Sequence, residues 1–141
     1  MQQLVIHGGA GSLEGKTTEA QKMHDSLCKI WEETFEVLQK RSAEDAVRHA
    51  VRMLEDDPVY NAGTGSKLQA DGQIRMSAAL MDGTNNRFSG VINVQNIRNP
   101  IEAAALLSGE KHSILSSAQA TEFCRTKGFP EYNPETEFRL H

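Results

Sequence analysis

Two glycine-rich stretches hold the residues whose types and spacing could do chemistry. The first, AGSLEGKT at residues 10–17, fits a relaxed phosphate-loop pattern. Lys16 would reach the phosphates, Thr17 would hold magnesium, and Asp82 in SAALMDG would assist the metal. Against that reading, Ala10 stands where the strict motif has glycine. Asp82 precedes Gly83 on an alternating strand expected to pair through a tight hairpin, not on a central parallel strand. The second stretch, LEDDPVYNAGTGS at residues 54–66, has no use in a nucleotide site. Gly63 and Gly65 let its backbone turn so that several carbonyls converge, and converging carbonyl oxygens can cage a hard cation. The plainer alternative is a helix end followed by a turn, with Asp56 and Asp57 merely solvated. The residues alone leave both open.

The elements that must position these loops follow from periodicity. QLVIHGGAGS reads as a short buried strand entering a glycine-rich loop. A helix is expected over residues 18–40, with Met23, Leu27, Ile30, Trp31, Phe35 and Leu38 at helical spacing. Ser42 caps a second helix while Asp45 reaches back, a variant of the capping box. Its apolar stripe is Ala43, Ala46, Val47, Ala50, Val51 and Leu54, and Pro58 helps to end it. Around Asp71-Gly72, SKLQADGQIRMSAALMDG predicts a hairpin, and RFSGVINVQN predicts a further strand. Asn99 and Pro100 open a helix as cap and first position. HSILSS is a short strand, and AQATEFCRTKG is a helix stopped by Gly128. Asp82 reads as a turn-capping carboxylate, and Trp31 as core or subunit contact. The whole is a layered α+β portion of a single domain, residues 1–141, without repeats or an internal linker.

Composition narrows the function classes. The chain is 38% hydrophobic and 24% charged, a globular balance whose slightly low apolar share fits burial against another polypeptide. Its net charge of -4 and scattered lysines and arginines argue against a nucleic-acid partner. No apolar run approaches a membrane span, and MQQLVIHGG lacks the features of a secretion signal. Cys28 and Cys124 have no metal or redox spacing; buried free thiols and a cytoplasmic location are expected.

VIHGGAG, LEDDPVYNAGTGS, DGQIRMSAALMDG and SGVINVQNIRNPIEAA occur in that order. Together they resemble the plant-type L-asparaginase and isoaspartyl peptidase family of N-terminal-nucleophile hydrolases, over roughly residues 4–107. The resemblance implies a precursor that cuts itself before a threonine, whose freed α-amino group then serves as base for its own hydroxyl. It implies an α and a β chain sharing a four-layer αββα sandwich and assembling as (αβ)2. The substrates implied are asparagine and β-aspartyl dipeptides. None of the threonines here lies in a GT-x-G-A-V-like stretch, so the chain resembles an α subunit without the catalytic threonine. The family's sodium loop falls on main-chain oxygens of Leu54, Glu55, Asp57, Tyr60, Ala62 and Thr64, with Asn61 beside the active site. In that loop the acids are expected to contribute mostly backbone. His7, Gly8, Gly9, Ala10 and Gly11 match the loop bordering the nucleophile, where His7 reads first as a hydrogen-bonded structural residue. No organic cofactor is implied. A phosphate-loop NTPase, and a non-catalytic binding module on the same scaffold, are the alternatives.

Overall fold

A computed structural model describes residues 1–11 and 17–137. Its elements run α1 (Thr17–Lys40), α2 (Ala43–Asp56), β1 (Met76–Asp82), β2 (Arg87–Val94), α3 (Pro100–Leu107), β3 (Ile114–Ser116) and α4 (Ser117–Thr126). Helix α1 buries Ile30, Thr34 and Leu38 and packs along α2. Of the two roles expected of Trp31, core or subunit contact, the core one does not hold: the residue is 41% exposed, and its ring stacks on Phe35 with centroids 5.0 Å apart. Its indole Nε1 donates to the carbonyl of Leu4, pinning the N-terminal segment to α1.

Helix α2 starts as its residues dictate. The Ser42 hydroxyl accepts the Asp45 amide at 3.1 Å, and the Asp45 carboxylate accepts the Ser42 amide at 3.4 Å. Ala46 and Ala50 are buried, whereas Val47 of the expected stripe is 42% exposed. The helix ends because Pro58 disfavours helical backbone before it, and Asp57 is extended at φ -92°, ψ 114°.

Strands β1 and β2 pair antiparallel with Met81 opposite Phe88, and β3 lies parallel to β2 with Ile114 opposite Gly90. Asp82 caps the connecting turn, accepting the amides of Thr84 and Asn85 at 2.9 and 3.3 Å. The Asn85 side-chain amide, with those turn amides, holds its carboxyl below the usual range. Helices α3 and α4 cover one face of the sheet. There Val91, Val94, Ile97, Ala103, Leu107, Ala120 and Cys124 form a core without solvent contact beyond 1%. The opposite face carries Met81, Phe88, Ile92 and Ile114 at 46–55% exposure.

Two expected strands do not form. Around Asp71 a turn exists, with Gly72 at φ +74° and its amide on the Gln69 carbonyl. No ladder extends from it, because nearby amides are already engaged. Thr64 donates to the Glu55 carbonyl, Gly65 to the Pro134 carbonyl and Lys67 to the Asn61 side chain. Residues 1–11 join no sheet among the described residues, and Val5 is 92% exposed. A strand needs a paired neighbour, and this segment does not reach the open edges that β1 and β3 leave among the described residues. Cys124 is buried, which pushes its thiol upward, but Cys28 is exposed, contrary to expectation. Among the described residues no helix is long and apolar enough to cross a membrane.

Candidate active site

The site is built where α2 ends. Within a helix, the carbonyl of Leu54 would accept the amide four residues on, but Pro58 has none to offer. The next carbonyl, of Glu55, receives the Thr64 amide at 2.7 Å, which folds the loop back against the helix end. Gly63 makes that return possible. It sits at φ +47°, and a Cβ there would stand 2.3 Å from the Glu55 carbonyl oxygen. Gly65 is similar at φ +96°, with the Pro58 carbonyl 2.5 Å from where a Cβ would be. Both glycines of the sequence motif are therefore required by close backbone approach.

The three acids do more with their side chains than the sequence suggests. Asp57 accepts the Ser26 hydroxyl at 2.6 Å and the Val59 amide at 3.1 Å, tying the loop to α1. Asp56 pairs with Arg98 at 2.8 Å and accepts the Asn99 side-chain amide at 3.1 Å. Glu55 is 3% exposed, and its Oε1 accepts the Ile101 amide at 2.9 Å. Asn99 makes no side-chain cap for α3, so Glu55 supplies from another helix the cap expected of Asn99. Burial raises the Glu55 carboxyl to about 8 despite the opposing pull of the Ile101 amide. Its Oε2 is buried without a hydrogen-bond partner among the described residues.

Asn61 is exposed and accepts the Lys67 amide at 2.8 Å. It opens on a polar hollow of about 310 Å³ lined also by Glu55, Ser66, Lys67, Arg75 and Ser77. Tyr60 is buried at 3% exposure, with its hydroxyl on the Met23 carbonyl; burial raises its pKa. Its ring bears on the N-terminal loop, since a Cβ on Gly8 would meet Tyr60 Cε1 at 2.9 Å. The structure thus brings Gly8 to the 54–64 loop. The His7 imidazole stays on its own turn, its Nδ1 accepting the Gly9 amide at 3.2 Å. Ala10 and Gly11 are exposed at the segment's end. Most of residues 10–17, including Lys16, lies outside the described residues.

The loop's chemistry fits a cation held by main-chain oxygens. The Leu54 carbonyl has lost its helical donor to Pro58, and the carbonyls of Glu55 and Asp57 each accept one amide, leaving a lone pair. Among the described residues no group of three or more His, Cys, Asp or Glu could hold a metal ion.

Sequence reasoning missed the Glu55 side chain, because a glutamate in a final helical turn reads as solvated. It also missed the tail. Thr64 Oγ1 and the Tyr132 hydroxyl lie 2.8 Å apart, and Pro134 is fully buried. The clue available was an aromatic residue and prolines in a stretch without periodicity.

Comparison with known proteins agrees with the motifs. A family described as asparaginase matches residues 1–141. The chain is 46% identical over 140 residues to an isoaspartyl peptidase/L-asparaginase of Synechocystis, covering 97% of this chain and 42% of that protein. To an isoaspartyl peptidase/L-asparaginase of Nostoc it is 48% identical, covering 97% and 43%. To a plant-type L-asparaginase of Pyrococcus horikoshii it is 38% identical, covering 97% and 45%. The chain thus spans less than half the length of these curated relatives. Nothing among them supports the phosphate-loop reading. The chain belongs to the asparaginase family.

Proposed function

We propose that this chain is the α part of a self-cleaving threonine amidohydrolase that hydrolyses L-asparagine and cleaves β-aspartyl dipeptides. The observation that carries the reading is identity of 46–48%, across nearly the whole chain, to proteins named for both activities. The docking of Gly8 against Tyr60 supports it, because both loops the reading needs then border one region. The nucleophile would be the first residue of a β chain derived from the same precursor. Its α-amino group takes the hydroxyl proton as oxygen attacks the side-chain amide carbonyl, and hydrogen-bond donors stabilise the oxyanion. The amide nitrogen leaves protonated, as ammonia or as the amine of the second residue. Water then releases aspartate from the acyl-threonine, which is the same intermediate for both substrates.

In this reading the exposed apolar face of Met81, Phe88, Ile92 and Ile114 is covered by the β chain, completing a four-layer sandwich that assembles as (αβ)2 in the cytoplasm. Main-chain oxygens of Leu54, Glu55, Asp57, Tyr60, Ala62 and Thr64 would hold a sodium ion. The ion supplies fixed positive charge that keeps the loop closed. Asn61 would then be presented from a rigid loop. Assay of the complete enzyme against asparagine and β-aspartyl-leucine tests the proposal. Release of aspartate from both is expected, and turnover of neither overturns it.

A further inference from the structure

The tail, residues 129–136, crosses the 61–66 loop and is fastened on both sides of it. On the far side, Arg125 donates to the carbonyls of Phe129 and Pro130 at 3.1 and 2.9 Å, and to that of Asn96 at 2.6 Å. The Tyr132 amide shares the Asn96 carbonyl at 3.0 Å, and the Arg98 guanidinium lies 5.8 Å from the Tyr132 ring centre. These contacts fix where the tyrosine stands. On the loop side its hydroxyl meets Thr64 Oγ1 at 2.8 Å, and the Pro134 carbonyl accepts the Gly65 amide at 3.0 Å. Pro134 is itself fully buried, and the Glu135 amide folds back onto the Asn133 side chain at 3.1 Å. The tail therefore arrives at the loop with its geometry set, and it grips the residues directly after Asn61, Ala62 and Gly63.

We propose that Tyr132 is a positioning residue for the reaction. Its hydroxyl holds Thr64, and with Pro134 it fixes the loop that presents Asn61 to the hollow. The inference rests on the amidohydrolase reading for its catalytic consequence, but the clamp itself does not. A side chain fixed at one end by an arginine and a backbone amide loses little freedom on meeting Thr64, so the contact orders the loop at low entropic cost. Neither partner is a reacting group, so their effect must run through loop position.

Tyr132→Phe keeps the ring and removes only the hydroxyl; Thr64→Val removes the partner. In the complete enzyme, each is expected to speed amide hydrogen exchange across residues 61–66 by about two- to tenfold, the range for one net hydrogen bond. Exchange in α1 and α4 should be unchanged. The kcat on asparagine should fall by a similar factor, about two- to tenfold, with KM moving less. The double variant should be no worse than either single one. A general loss of stability would instead spread across the helices and leave kcat per folded enzyme intact. If one variant fails to fold, the other carries the test. Unchanged exchange at 61–66, or additive singles, overturns the clamp. A loosened loop with unchanged kcat overturns the positioning role. Should the wild type turn over neither substrate, the amidohydrolase reading fails, while exchange still decides the clamp.

Discussion

Gly63 illustrates how a single residue ties sequence to site. At φ +47° it occupies the left-handed region, and its missing Cβ is what lets the loop touch the Glu55 backbone. Gly63→Ala should cost about 1–3 kcal/mol from the left-handed backbone alone, before the clash with the Glu55 carbonyl is added. Chemical denaturation of the complete enzyme checks the magnitude. On the proposed sodium reading, the same variant should also lose the rise in melting temperature that sodium gives over a bulky organic cation. A variant with wild-type stability and an undiminished sodium effect would dissociate Gly63 from the cage. This glycine was legible in the sequence because Gly has a backbone signature. Glu55 was not. Its role depends on Ile101, forty-six positions along the chain, whose amide reaches the carboxylate only after α2 and α3 have packed. Tyr132 was hidden for the same reason, since its partner Thr64 lies sixty-eight residues away.

Helix α2 is the element that carries the site, and its two ends were both readable because their causes are local. Ser42 and Asp45 lie within one turn, and Pro58 forbids continuation through its own ring. Ser42→Ala should therefore destabilise by about 1 kcal/mol through the lost cap. The Asp45 side chain adds a pH signature. The Ser42 side chain first, and then its amide, lower the Asp45 pKa below its ordinary 3.8. A carboxylate whose folded pKa is depressed contributes stability above the ordinary value and loses it as pH falls through the folded one. The melting-temperature gap between wild type and Asp45→Asn should thus be constant from pH 7 down to about 5, and close below about 4. A gap that persists at acid pH would mean that the amide replaces the carboxylate poorly for steric reasons. Strands fared differently. Arg87–Val94 pairs with β1 through a local turn and was visible, whereas QLVIHGG has the composition of a strand but pairs with no strand among the described residues. Composition reports a preference for extended backbone; only a neighbour makes it a strand.

At the scale of the molecule, the described residues cover the sheet on one side only. Helices α3 and α4 seal one face to 1% exposure or less at Val91, Ile97, Leu107 and Cys124, while Met81, Phe88, Ile92 and Ile114 on the other stay about half exposed. The register explains why these form one patch. Met81 faces Phe88 across β1 and β2, and Gly90 faces Ile114 across β2 and β3, so all four side chains project from the same surface. An apolar sheet face of this kind suits the contact with a β chain that the proposed function calls for. The slightly low apolar share of the whole composition raises the same expectation, but it names no surface. If the β chain of the proposed enzyme covers this face, Phe88→Glu would place an unpaired carboxylate in a dry interface, a change that costs several kcal/mol. Co-expressed α and β parts of that variant should then fail to migrate together in size-exclusion chromatography, and asparagine hydrolysis should be lost with the assembly. Phe88→Leu removes the ring but keeps the surface apolar, so it should restore co-migration. Normal assembly of Phe88→Glu would show that the β chain lies elsewhere, and that the bare face of the sheet serves a different contact.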